Sequence, residues 1–298
     1  MATLYSQQGT NTRRTWLLMA GFLAVIVALG WFISDYYNNS AILYAAIIFS
    51  VSMNVASYWW SDKIALSFNG AKEVAREEDV ELHRLVENLA ITAGLPKPRV
   101  YVIEDLAPNA FATGRDKNHA AVAVTRGLLN MLDKNELEGV VAHELAHIGN
   151  RDILLQTVVV VLVGFVAIIS DMFMRLSFSG GDRDRNRGGN LLAIVGVVFV
   201  ILSPIIATLI QLAISRQREF LADSSGALLT RYPEGLANAL QKISGYGGTL
   251  KRANNATAHM FIANPFGPKA ARGVSKLFMT HPPVEERIKA LVGGKTKI

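Results

Sequence analysis

Six histidines and no cysteine in 298 residues leave few ways to hold a transition metal, and two of the six stand in the run His143-Glu144-Leu145-Ala146-His147. In a helix, side chains at i and i+4 lie one above the other on the same face, so both imidazoles point at one locus. Two neutral imidazoles with a carboxylate between them are the parts of a metal-assisted hydrolase, the imidazoles ligating and Glu144 serving as general base. The rival reading is a helix face with two core or solvated histidines and a surface glutamate. A catalytic zinc needs a third protein ligand and an open position, and without cysteine that ligand is His, Asp or Glu. The residues after Gly149 read NRDILLQ and supply no further imidazole, which favours a distant glutamate. Glu219, in SRQREFLADSSG, is the candidate, with Asp223 on the same helical face. In such a pair Glu219 ligates while Asp223 accepts a hydrogen bond from a ligating imidazole and fixes its tautomer. The rival for Glu219 is a surface ion pair with Arg216 or Arg218.

The elements that must position these residues are legible in outline. Asp133 reads as an N-cap, with Glu136 completing a capping box, so the helix bearing both histidines runs from there towards Gly149. Upstream, the spacing of Val74, Leu82, Leu85, Val86 and Leu89 predicts a helix over Ala71–Ala93 that stops at Gly94. Arg99–Asp105, Asn109–Gly114 and His119–Thr125 read as short strands of a small, mostly antiparallel sheet. Arg216–Thr230, Pro233–Ser244 and Pro282–Val292 read as helices, and Gly245–Lys276 as irregular. The fold class expected is therefore α+β and mostly helical.

Composition adds a membrane. The chain is 51% hydrophobic and 18% charged, with a net charge of +6 and a mean hydropathy of +0.27. That is too apolar for a disordered chain or an ordinary soluble enzyme, and the absence of cysteine excludes disulfides and a thiol nucleophile. Residues 15–34 and 41–60 are free of charge and long enough to span a bilayer. The first is too long for the apolar region of a signal peptide and lacks a following cleavage site. Tyr58, Trp59 and Trp60 resemble an interfacial belt, and Arg13, Arg14, Lys63, Lys72 and Arg76 place both outer flanks in the cytoplasm. Residues 153–174 and 191–214 read as a second hydrophobic hairpin. Its Arg-rich connection conflicts with the positive-inside bias, so a hairpin that only dips into the membrane stays open beside full crossing. Alternating Arg and Asp without aromatics argues against a nucleic-acid site there. The organisation expected is an N-terminal membrane hairpin (1–62), a first catalytic part (63–152), the second hairpin (153–214) and a second catalytic part (215–298). If His143, His147 and Glu219 share one ion, both flanks of that second hairpin lie on one side of the membrane, and the ion lies close to its surface.

Together the two leading apolar segments, NAFATG at Asn109–Gly114, HELAH at His143–His147, REFLAD at Arg218–Asp223 and THPPVEERI at Thr280–Ile288 resemble the HtpX family of integral-membrane zinc metalloproteases, relatives of the CAAX prenyl proteases. The resemblance covers nearly the whole chain. It implies a gluzincin-like domain with one Zn2+ per chain and Glu219 as third ligand. It further implies that Asn109, Ala110, Phe111 and Ala112 form an edge strand against the peptide substrate, and that His281 and Arg287 belong to a late motif of the catalytic region, His281 donating to the developing oxyanion. The rival for that motif is that His281-Pro282-Pro283 caps the last helix while Arg287 pairs with Glu285 or another acid. The implied activity is endopeptidase cleavage of unfolded or membrane-protein polypeptides in quality control and stress response. The implied setting is a multi-pass protein of the bacterial inner membrane, in contact with lipid, active site facing the cytoplasm, with no nucleic-acid partner. Two alternatives stand beside it: a CAAX-type protease processing a single substrate, and a non-catalytic scaffold or transporter with a structural metal site.

Overall fold

The computed structural model describes residues 4–179, 216–254, 256–267 and 282–293. Helices α1 (Leu4–Tyr36) and α2 (Ser40–Trp59) form an antiparallel hairpin that reverses at Asn38, whose φ is 48°, and Asn39 caps α2 by accepting from the Ala41 amide. Among the described residues, Gly9–Tyr36 and Ser40–Trp59 are the two helices long and apolar enough to cross a membrane on their own. Trp16, Trp31, Tyr44 and Ile48 stand exposed on them, as a lipid-facing surface requires. Helix α1 begins well before the apolar run 15–34, and Asn11 in that polar stretch hydrogen-bonds Asn150 and Asp152.

After α3 (Ser61–Phe68) the structure departs from the expected helix over 71–93. Residues Ala71–Glu73 form β1, antiparallel to β2 (Arg99–Ile103), and helix α4 (Val80–Thr92) starts only at Asp79, whose side chain accepts from the Leu82 amide. Pairing with β2 overrode local helical spacing, which only the N-cap at Asp79 delimits. The predicted stop is present: Gly94 takes a φ of 64° that a Cβ would strain.

With β3 (Ala110–Gly114) and β4 (Ala120–Thr125) the strands form one sheet in the order β1-β2-β4-β3. The outer pairings are antiparallel, as expected, but β2 and β4 run parallel, because the connection between them includes β3 and returns the chain in the original direction. Val100, Val102, Ala112, Val122 and Val124 face a core shared with α4 and α6, while Tyr101, Ile103, Phe111 and Ala123 pack beneath α3 and α7. Strand β3 lies at the sheet edge.

Helix α5 (Arg126–Met131) leads to α6 (Lys134–Gly149), which opens with the predicted capping box of Asp133 and Glu136. Helix α7 (Asp152–Ser179) follows after an 86° bend at Arg151, a residue with a φ of 58°. By length and composition α6 and α7 together could form one bent membrane span, and the first turns of α7 are covered by protein. Leu154, Leu155, Val158, Val159 and Leu162 are buried against Leu18, Met19 and Phe22 of α1, which covers this part of the apolar run. The expected span 191–214 lies outside the described residues, as does the Arg-rich connection beyond Ser179. Helices α8 (Arg216–Thr230), α9 (Pro233–Ser244) and α10 (Val284–Val292) complete the description.

Candidate metal centre

Helix α6 lies between the sheet and α8, and two close approaches set its position. Glu219, Ala222, Asp223 and Gly226 form the buried stripe of α8, and a Cβ at Gly226 would sit 2.9 Å from the His143 amide nitrogen. Glycine there lets the α8 backbone rest on the turn that bears the first histidine.

That packing brings together the three residues singled out from the sequence. The Nε2 atoms of His143 and His147 are 3.2 Å apart, and Glu219 reaches them with Oε2 at 3.8 Å and Oε1 at 3.6 Å. Tetrahedral bonds of roughly 2.0–2.1 Å place ligand atoms about 3.3–3.4 Å apart, so these separations suit a single zinc-sized ion. Among the described residues, His143, His147 and Glu219 form a group whose ligand atoms all lie within 4.8 Å of one another. The donor chemistry agrees. His147 Nδ1 lies 2.9 Å from Asp152 Oδ2, and His143 Nδ1 lies 2.9 Å from Asp223 Oδ1, a close contact somewhat off the ideal hydrogen-bond direction. With His147 Nδ1 hydrogen-bonded to Asp152 and His143 Nδ1 set beside Asp223, the two Nε2 atoms and the Glu219 carboxylate converge, an arrangement of acceptors that calls for a cation.

Burial holds the His143 imidazole down to about 4 despite Asp223, whereas at His147 burial is outweighed by the hydrogen bond to Asp152 and the charge of Glu219, which raise it to about 9. Glu144 is 1% exposed, and its carboxyl is pushed up to about 7, chiefly by burial, with His147 pulling the other way. The Ala112 amide donates to it. Asp223 goes the opposite way: burial would raise it, but the hydrogen bonds from Arg287 and the adjacent His143 imidazole hold it at about 2.

Arg287 makes that pair. It is 0% exposed and bidentate to Asp223, with Nε at 2.8 Å from Oδ2 and NH2 at 2.7 Å from Oδ1, while NH1 donates to the Ile262 carbonyl at 3.2 Å. Arg287 therefore pairs with an acid other than Glu285, and that acid is Asp223. His281 lies outside the described residues.

The expected substrate strand is at the sheet edge but is not bare. Asn109 exchanges two hydrogen bonds with the Ala263 backbone, of 2.9 and 3.2 Å, and the Ala110 carbonyl accepts from the Ile262 amide at 3.0 Å. With the Ala112 amide bonded to Glu144, the outward Ala110 carbonyl and Ala112 amide both have internal partners. Phe111 points under the sheet, edge-on to Phe261 at 5.1 Å between ring centroids.

Two residues of the site were missed by sequence reasoning. Asp152, fully buried, accepts from His147 and also from Asn11 Nδ2 at 2.6 Å. Asn11 in turn accepts from Arg218 NH1 at 3.1 Å. A carboxylate just beyond the histidine helix, in Asn150-Arg151-Asp152, was a usable signal for the first. Asn11, 141 positions away from Asp152, carried none.

This geometry, a buried H-E-x-x-H helix flanked by a mixed sheet and a second helix that brings in a carboxylate, has the parts of a metal-dependent hydrolase. Residues 76–294 match the model of peptidase family M48, and the chain belongs to that family. It is 47% identical over 296 residues to the protease HtpX homolog of Caldanaerobacter subterraneus subsp. tengcongensis, covering 97% of each chain. It is 50% identical over 284 residues to the protease HtpX homolog of Pyrococcus furiosus, covering 93% of this chain and 94% of the other. In fold it is similar to the crystal structure of S. mikatae Ste24p, with a TM-score of 0.50 and 20% identity over 97% of this chain and 67% of that one.

Proposed function

We propose that this chain is a zinc-dependent endopeptidase of the bacterial inner membrane, held there by α1 and α2, which cuts unfolded or membrane-associated polypeptides at a site facing the cytoplasm. The observation that carries the reading is the convergence of His143, His147 and Glu219 beside the buried carboxyl of Glu144. Zinc bound there would supply Lewis acidity to a water and to the scissile carbonyl. Glu144 takes the proton of the attacking water and passes it to the leaving nitrogen, and a carboxyl titrating near 7 suits both halves of that task. Asp223 and Asp152 hold the two imidazoles, Arg287 holds Asp223, and His281 donates to the oxyanion.

The substrate adds as a strand along β3, pairing with the Ala110 carbonyl and the Ala112 amide while Asn109 and Phe111 anchor the strand. Because Ile262 and Glu144 occupy those groups, a substrate must exchange with them. Only an extended segment can do so, which favours unfolded or tethered chains over rigid folded ones, as quality control and a stress response require. The cationic flanks Arg13, Arg14, Lys63, Lys72 and Arg76 support the cytoplasmic placement, with lipid around α1 and α2 and no role for nucleic acid.

The test compares full-length wild type with Glu144→Gln in detergent, measuring zinc per chain and casein cleavage. Both proteins should hold about one zinc, and the variant should lose about 10²-fold or more in rate. Cleavage by Glu144→Gln at the wild-type rate would refute the proposal. Mapping the products by mass spectrometry separates general degradation, with many cuts, from processing of a single substrate.

A further inference from the structure

We propose that Asn11, in the first membrane helix, is a positioning residue for the metal centre that holds Asp152 so that Asp152 can orient His147. The inference rests on the metal-site reading above and extends it to a helix that otherwise looks like an anchor.

Asn11 is 1% exposed and its carboxamide is fully engaged. Nδ2 donates to Asp152 Oδ1 at 2.6 Å and to the Asn150 carbonyl at 3.2 Å, and Oδ1 accepts from Arg218 NH1 at 3.1 Å. These partners are the acceptor of the His147 proton, the C-cap of the helix bearing both histidines, and the neighbour of Glu219 on α8. One side chain thus links the elements that carry all three ligands. Asp152 spends Oδ2 on His147 Nδ1, at 2.9 Å, so its other oxygen needs a donor to keep the carboxylate from turning. Arg218 Nε lies 4.0 Å from Oδ1, whereas Asn11 Nδ2 makes a short, charge-assisted bond to it at 2.6 Å. With Asp152 fixed, His147 keeps its proton on Nδ1 and presents the Nε2 lone pair to the ion.

The measurement is zinc affinity of the full-length protein in detergent, by competition with a chromogenic chelator, with a circular dichroism check of folding. Asp152→Ala should weaken zinc by about 10- to 100-fold. Asn11→Ala, and Asn11→Ser as a second, still polar variant, should weaken it by about 3- to 10-fold, because they act one bond further out. In the Asp152→Ala background, Asn11→Ala should add less than about twofold, since its effect runs through the missing carboxylate. Asn54→Ala, which removes a different bond between α1 and α2, to the Met19 carbonyl at 3.2 Å, should leave zinc affinity unchanged. Unchanged affinity in both Asn11 variants, or an undiminished effect in the Asp152→Ala background, overturns the assignment of Asn11. Failure of the wild type to bind zinc stoichiometrically overturns the metal site itself, so the two failures are distinguishable.

Discussion

Replacing Gly226 by alanine adds one methyl group at the closest approach of α8 to α6. The new Cβ would meet the His143 amide nitrogen at 2.9 Å, its Cα at 3.1 Å and the Ala142 carbonyl carbon at 3.2 Å, where ordinary contact begins at 3.4 Å. All three are helix backbone, which cannot turn aside, so α8 must back away by the difference of 3.4 and 2.9, about 0.5 Å. Metal–ligand distances tolerate about ±0.2 Å. Asp223 lies one turn from the new methyl and Glu219 two turns, so the shift separates His143 from its acceptor and enlarges the ligand triangle. Overpacking of this kind costs about 1–3 kcal/mol of stability. A displacement of half the ångström that costs roughly 10²-fold should lower kcat/KM about tenfold, and weakened support of a ligating imidazole should reduce zinc affinity by about 10-fold. The assay is chelator competition together with cleavage of fluorescent casein by the detergent-purified chain. Gly21→Ala is the control, because a Cβ at that α1 glycine meets nothing within 4 Å. Zinc affinity and kcat/KM of Gly226→Ala both within twofold of wild type would show that α8 does not set the ligand geometry.

Other consequences are open to direct measurement. Arg287→Met strands the buried Asp223 carboxylate and should destabilise the protein by about 3–5 kcal/mol, seen as a large drop in thermal midpoint; an unchanged midpoint would mean the pair is not the tie between α8 and α10. Because burial holds Glu144 near 7 and the base works deprotonated, kcat/KM should fall as pH drops below about 7; a profile flat down to pH 5 would place the carboxyl at its ordinary value. His147 holds a proton up to about 9 in the absence of an ion, so zinc must displace that proton at pH 7 and its affinity should rise from pH 6 to 8; a pH-independent affinity would exclude His147 as a ligand.

The sequence by itself determined the local features. The capping box at Asp133 and Glu136, the i, i+4 histidines and the Glu219/Asp223 pair depend on helix geometry over a few residues, which spacing encodes directly. The two membrane-length helices were readable for the same reason, since bilayer thickness sets their length. Tertiary structure decided the rest, where a residue's state depends on partners far along the chain. Ala71–Glu73 became a strand because β2 offered it a ladder, and the first turns of α7 are apolar because α1 covers them. Asp223 found Arg287 on α10, and Asp152 found Asn11 in the first helix, contacts that no periodicity announces because the bend at Arg151 and the packing of α8 on α6 create them. Types and spacings along one helix specify which atoms are available to a metal. Only the assembled helices and sheet specify that Asp152 holds the second imidazole and that Arg287 and Asn11 hold the two carboxylates in place.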